Sequence, residues 1–148
     1  MDVLLDTNIL VGVVNPASAD YPLIWSAVEA VVDRGDRVCF ISQNLVELWN
    51  VCTRPARYNG LGLSVKETDR RLRVLEADFL LLPDTERVHA EWRRLVVQYS
   101  VSVVQVHDTR IVAAMLAHGV SQLLTLNARD FKRFTEITAV HPRDFVAA

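Results

Sequence analysis

Four carboxylates of this chain stand where chemistry is commonly done. Asp6 follows the apolar run Val3-Leu4-Leu5, and Glu47 lies one turn beyond the run from Val38 to Ile41. Asp108 follows the segment Val101–Val106, and Asp130 follows Leu123–Leu126. If the four converge, unit charges ~4 Å apart repel by about 4 kcal/mol at an effective dielectric of 20, so the cluster needs protons or cations to exist. A site of hard oxygen ligands suits Mg²⁺ or Mn²⁺, which keep water molecules and bind substrate phosphates. Its natural reaction is hydrolysis of a phosphodiester, with metal-activated water as nucleophile and metal charge stabilising the transition state. Each acid also has a plainer explanation. Asp6 and Asp108 suit helix N-caps, worth roughly 1 kcal/mol each. Glu47 shares a helical stripe with Gln43, Asn50 and Arg54 that reads equally well as a solvated face, and Asp130 as surface charge or a cap.

The elements that must position these acids follow from periodicity and punctuation. Residues 2–5 read as a short buried strand, with a helix starting near Thr7 or Asn8 and punctuated by Asn15-Pro16. Tyr21 to Val32 has a helical apolar pattern, and Asp33 to Asp36 is a turn. Val38–Ile41 reads as a strand, and Ser42 as the N-cap of a helix from about Gln43 to Thr53, stopped before Pro55. Asn59 to Gly62 is a loop. Ser64–Asp78 reads as a charged amphipathic helix with Val65, Leu72 and Leu75 inward. Phe79–Leu82 is a strand. Thr85–Tyr99 is a helix with Val88, Trp92, Leu95 and Val96 as its buried stripe. Val101–Val106 fits either a strand or an extended approach. Asp108–His118 is a helix closed by Gly119. Leu123–Leu126 is a strand, Ala128–Phe134 a helical turn and Ile137–Val140 a last strand. Short apolar strands alternating with helices make one α/β domain, residues 1–148, around a mostly parallel sheet. Ligands of such sheets bind beyond the carboxyl ends of the strands, where the four acids fall.

Composition narrows the classes. The chain has 148 residues, 51% of them apolar, and a formal net charge of −2. That profile fits a compact core and argues against nucleic-acid binding by bulk electrostatics. No apolar run approaches a membrane span, and Met1-Asp2 carries no basic leader, so a cytoplasmic protein is expected. Cys39 and Cys52, the only cysteines, read as reduced core residues. The four histidines show no metal-ligand pair, and no glycine-rich phosphate loop follows the first strand. The stretch from Arg54 to Arg73 is rich in arginine, and Arg129, Lys132 and Arg133 surround Asp130. A solvated helix face and basic loops explain both groups on composition alone.

The segments LLDTNIL, SQNLVELWNV, VHDTRIVAAMLAHGV and LLTLNARDF, in this order and spacing, resemble the PIN domain family over nearly the whole chain. That family includes the VapC ribonuclease toxins of toxin–antitoxin pairs. The resemblance implies a three-layer α/β/α sandwich and an acidic pocket for one or two Mg²⁺ or Mn²⁺ ions. Asp6, Glu47 and Asp108 match its three most regular acidic positions, and Asp130 the fourth, as catalytic residues and metal ligands. Asn127 stands where many members have aspartate, and Arg110 is bulkier and more polar than the family pattern, directed to solvent or to a phosphate. Thr7, Asn8 and Thr125 match polar positions that orient the acids or a metal-bound water. The expectation is an endoribonuclease with a cognate antitoxin as partner and a tendency to homodimerise. The basic segment from Arg54 to Arg73, with Tyr58 able to stack on a base, is the expected RNA-facing edge, and Arg54 and Arg57 are its expected RNA contacts. The alternatives are a nuclease of RNA maturation and a PIN-like domain that binds RNA or a partner without cutting.

Overall fold

The computed structural model covers residues 1–148. Its five strands are β1 (Asp2–Leu5), β2 (Arg37–Ile41), β3 (Leu80–Leu82), β4 (Gln122–Leu124) and β5 (Thr138–Val140). They form one sheet in the order β3-β2-β1-β4-β5, and every neighbouring pair is parallel. The connections carry α1 (Thr7–Val14), α2 (Tyr21–Asp33), α3 (Ser42–Thr53), α4 (Val65–Asp78), α5 (Glu86–Gln98) and α6 (Gln105–His118), and α7 (Pro142–Ala147) ends the chain.

Successive strand side chains point to opposite faces, and here both faces are covered. Val3, Leu5, Val38, Phe40 and Leu124 enter one core with residues of α1, α2, α3, α4 and α7. Leu4, Cys39, Ile41, Leu82 and Leu123 enter the other with α5 and α6. Each fully buried aliphatic or aromatic side chain contributes roughly 1.5–3 kcal/mol. Double-sided burial is therefore why Val3–Leu5 of β1 and Val38–Ile41 of β2 read as unbroken apolar runs. Burial also pushes the Cys39 thiol up to about 12, so it stays a protonated core residue.

β1 lies between β2 and β4, so strand order reverses at its carboxyl end. Asp6 is the first residue beyond that end, and its N–H donates to the Leu124 carbonyl (3.0 Å). The sheet thus places Asp6 at the crevice where parallel α/β sheets bind ligands.

Several local expectations need correction. Ser42 does not cap α3: the helix includes it, and Ile41 is the cap position, its N–H satisfied by the Asn44 Oδ1 (2.9 Å). Val65 is exposed, because Ser64 caps α4 through the Glu67 N–H and Thr68, one turn on, takes the inward position. On α5 only Val88 and Leu95 of the expected stripe are fully buried. The strands at Phe79, Leu123 and Ile137 are each a residue or two shorter than their apolar runs. The six-residue helix α7 is too short to show periodicity. It packs on α2, with Phe145 buried and the Arg34 guanidinium 4.3 Å from its ring centre.

Val101–Val106 is neither strand nor extended approach. Ser100 (φ 51°) and Val103 (φ 56°) adopt left-handed backbone conformations, and α6 begins at Gln105, so Asp108 sits within its first turn. A β-branched residue in that region is strained by on the order of 1–3 kcal/mol, and Val103 is exposed with no packing to lose. After allowing for the extra chain entropy of glycine, Val103→Gly should stabilise the fold by about 1 kcal/mol, or roughly 3 °C in Tm. A thermal melt showing an unchanged or lower Tm would mean that this turn holds its conformation without strain.

Candidate functional site

The site is built on Asp6. Its Oδ1 accepts from the Thr7 N–H (2.8 Å), so it does cap α1, and its Oδ2 accepts from the Thr125 hydroxyl (2.7 Å). The residue is only 7% exposed. Thr125, fully buried beyond β4, is itself fixed, since its Oγ1 accepts from the Asn127 N–H (3.1 Å). Asn8 spans the same gap: its Oδ1 accepts from the Leu126 N–H (3.1 Å), while its Nδ2 lies 3.4 Å from both Asp6 Oδ2 and Thr125 Oγ1. The first turn of α1 is thereby tied to the chain leaving β4.

Glu47 is held from two sides. Its Oε2 accepts from the Thr7 hydroxyl (2.6 Å) and its Oε1 from the Gln43 Nε2 (2.9 Å). Thr7 Oγ1 in turn accepts from the Asn44 Nδ2 (3.1 Å). Gln43 also donates to the His107 carbonyl (2.9 Å), which couples α3 to the first turn of α6 and so to Asp108. Gln43 and Asn44 are contributors that motif reading passes over. The available signal is their spacing, with Gln43 one helical turn before Glu47 and Asn44 three residues beyond the last residue of β2.

The acids feel one another. Burial comes first, and the charges of Asp6, Asp130 and Glu47 follow, in pushing the Asp108 carboxyl up to about 6, with His107 opposing weakly. Burial also raises Asp6, against the hydrogen bonds from Thr125 and Thr7 and with the charges of Glu47 and Asp130 adding to the rise. Asp6, Asp108 and Asn127 line one cleft of about 460 Å³, with Thr7, Asn8 and Asp20 on its walls. Asp20 has no counterpart among the sequence motifs. Asp130 is exposed and faces an adjoining cleft, near enough to act on both Asp6 and Asp108.

No group of three or more His, Cys, Asp or Glu side chains is arranged to hold an ion by itself. The donors facing the cleft are nonetheless all hard oxygen or amide groups, and its two carboxyls, Asp6 and Asp108, are raised first by burial and then by neighbouring negative charge. Such a set fits an ion that keeps part of its water shell better than one enclosed by protein.

The remaining residues of interest divide. Arg110 pairs with Asp84 (3.2 Å) and donates to the Gln43 Oε1 (3.3 Å), and it lines a separate small cleft with Thr85, His89 and Trp92. Arg70 and Arg71 pair with Glu67, and Arg73 with Asp69. Arg54 and Arg57 make no ion pair, and the Arg57 guanidinium lies 4.9 Å from the centre of the exposed Tyr58 ring. The ring of His118 meets the Pro83 carbonyl (2.7 Å) and is not part of the acidic cleft.

The fold has known counterparts. The chain resembles VapBC2 of Rickettsia felis, bound to a DNA fragment from its promoter, with a TM-score of 0.70 at 19% identity over 95% of this chain and 98% of that one. It resembles a toxin–antitoxin complex from Klebsiella pneumoniae with a TM-score of 0.64 at 18% identity, over 95% and 97% of the two chains. It also resembles VapC20 of Mycobacterium tuberculosis, a sarcin-ricin loop cleaving toxin, with a TM-score of 0.59 at 14% identity over 82% and 86%. At these identities the likeness establishes the fold. No curated protein matches the chain. The PIN domain model matches residues 3–137, nearly the whole length, and the chain belongs to the PIN domain family.

Proposed function

We propose that this protein is a Mg²⁺- or Mn²⁺-dependent endoribonuclease, the toxin of a toxin–antitoxin pair. The observation that carries the reading is that Asp6 and Asp108 line one cleft, both raised first by burial and then by the negative charge of Glu47 and Asp130 from two further segments, a charge that a cation would compensate. Asp6 and Asp108 are the principal ligands, with Glu47 and Asp130 completing the pocket directly or through water. A bound ion would supply an activated water and positive charge against the developing transition state. The chain does the rest. Thr125 and Thr7 fix the two Asp6 oxygens, Thr7 and Gln43 fix both oxygens of Glu47, and Asn8 and Asn127 line the space where a phosphate meets them.

The toxin part rests on the structural neighbours, several of which are toxin–antitoxin complexes. A groove of about 240 Å³ between α1, α2 and α4 supports a protein partner. It is lined by Val13, Pro16, Val74, Phe79 and Trp25, whose buried indole N–H has no acceptor. Cytoplasmic location and homodimerisation are part of the same proposal, and no helix is long and apolar enough to cross a membrane.

The test is cleavage of structured RNA with Mg²⁺, Mn²⁺, Ca²⁺ or excess EDTA. Turnover is expected with the first two, little with Ca²⁺ because a larger, looser coordination sphere relaxes in-line geometry, and none with EDTA. Cleavage that survives exhaustive chelation would overturn the mechanism.

The substrate edge on the α3 side is assigned to Arg54, Arg57 and Tyr58. Val51 lines the acidic cleft, and Arg54 is the extended residue that ends α3 just beyond it. The loop behind it is tightly built: Asn59 is left-handed, and Gly60 packs so close to the Arg54 carbonyl that a side chain there has no room. This holds Tyr58 outward as a stacking surface. Replacing Arg54 and Arg57 together with glutamine should flatten the salt dependence of RNA affinity by about 0.7 log–log units for each phosphate no longer neutralised. An unchanged slope would return both to ordinary solvated arginines.

A further inference from the structure

The acidic cleft has no cation on its walls, yet a nuclease must hold a polyanion across it. A polar cleft of about 520 Å³ adjoins it on the β4–β5 side, sharing Leu126 and Asn127 as a common wall. Into this second cleft face Arg129, Lys132, Arg143 and His141, against the two acids Asp130 and Asp144. None of the three permanent cations is tied up in an ion pair, whereas the arginines of α4 and Arg94 of α5 are bound to carboxylates.

Their backbone positions are fixed from below. Arg129 stands in the short 3-10 turn Ala128–Phe131, whose Phe131 is buried, and Lys132 follows directly. Arg143 stands in α7 between the buried Pro142 and Phe145, and its N–H donates to the His141 Nδ1 (3.1 Å). The lining is mostly polar, unlike the apolar walls that hold small organic ligands, and it presents fixed charge beside an opening. Such a surface suits a backbone of phosphates, which cations neutralise at the expense of bound counterions.

We propose that Arg129, Lys132 and Arg143 form a phosphate-binding subsite for the RNA strand on the β4–β5 side of the acidic cleft, holding the backbone next to the bond that is cut. The assignment rests on the ribonuclease reading above. It gives the strand a cationic foothold on each flank of the acids, with Arg54 and Arg57 on the other.

The experiment measures binding and cleavage separately. Affinity for a short fluorescent single-stranded oligoribonucleotide is followed by anisotropy in EDTA across a range of NaCl concentrations. The proteins are wild type, the triple variant Arg129→Gln/Lys132→Gln/Arg143→Gln, and Arg93→Gln as a control for loss of an exposed arginine elsewhere, on α5. All four replaced side chains are exposed, so the fold is retained. The log–log slope of the triple variant should be shallower than wild type by about 2 units, roughly 0.7 per phosphate, with Arg93→Gln unchanged. Cleavage by the triple variant with Mg²⁺ should show a raised KM and a kcat near wild type, because a contact made equally in ground and transition states contributes uniform binding. A wild-type slope in the triple variant, in a protein that does cleave RNA, overturns the subsite and leaves the nuclease standing. A flattened slope in a protein that cleaves nothing with any metal keeps the subsite and overturns the nuclease. Absence of both binding and cleavage overturns both.

Discussion

Asp6→Asn is expected to reduce RNA cleavage by at least on the order of a hundredfold, while the protein stays folded. The two roles of Asp6 separate in this variant. Asparagine caps a helix about as well as aspartate, so the bond from the Thr7 N–H to the side-chain oxygen survives. The other end does not. The amide nitrogen would face the Thr125 hydroxyl, which now donates to Asp6 Oδ2, and would meet the Asn8 Nδ2, also a donor. That mismatch costs on the order of 1 kcal/mol or more. Removing a buried charge that Glu47 and Asp130 repel gains a comparable amount. In EDTA the two nearly cancel, and the metal-free Tm should move little.

The difference appears with Mg²⁺. An ion that binds only the folded state stabilises it by about 2.7 kcal/mol at a hundred times its Kd, and Asp6→Asn should lose most of that increment. Asp108→Asn should lose it too, and the double variant should be non-additive because both act through one ion. Melts with and without Mg²⁺ beside a cleavage assay check this. Full activity with an unchanged Mg²⁺ increment would reduce Asp6 to a helix cap.

Much of this architecture is visible in the chain because double-sided burial leaves little freedom. Val3 to Leu5 and Val38 to Ile41 have no polar face, so they can only be interior strands, and the residue after each run must emerge at the sheet's carboxyl edge. The position of Asp6 therefore follows from three apolar residues. The details that escape are those settled by a single side chain reaching back along the sequence. Ser42 is a good cap by type, but Asn44 reaches the Ile41 N–H instead, and only from there does its Nδ2 also support Thr7. Val65 is the more apolar candidate for the interior, yet the Ser64 cap starts α4 in a phase that turns Thr68 inward, with its hydroxyl buried and unpaired. The β-branched run at Val101–Val106 has strand-like composition, and two left-handed residues that no propensity scale favours prevent the strand. In the site, the acids are legible by type and place. The threonine and amide groups that hold them are legible at Thr7, Asn8 and Thr125, and not at Gln43, whose contact with the His107 carbonyl spans 64 residues.

Protons and Mg²⁺ should compete for the acidic cleft, and the competition fixes a pH window. Asp108 titrates at about 6 in the folded protein against 3.8 for an unperturbed carboxyl. Between those values the folded state binds more protons than the unfolded state, so the stability of the metal-free protein falls as pH rises through the window and levels off above about 6. Asp6 is displaced in the same direction. Glu67 runs the other way: Arg70 and Arg71 hold it down at about 2, so its contribution is lost as pH falls below 4.5 and does not overlap the upper part of the window. The full displacement of Asp108 corresponds to about 3 kcal/mol, and to on the order of 1 kcal/mol once screening at this half-buried position is included. Binding a cation must displace that proton. The Mg²⁺-dependent increment in stability should therefore grow as pH rises through about 6 and flatten above it, with a slope of at most about 1.4 kcal/mol per pH unit per proton released. Taking the difference with and without Mg²⁺ at each pH cancels every contribution that is the same in both. In Asp108→Asn the metal-free fall with pH should shrink and the increment should be small throughout. Thermal melts from about pH 5 to 8, with EDTA and with Mg²⁺, decide the matter. An increment that is large and independent of pH would place the ion away from Asp108 and remove this residue from the metal site.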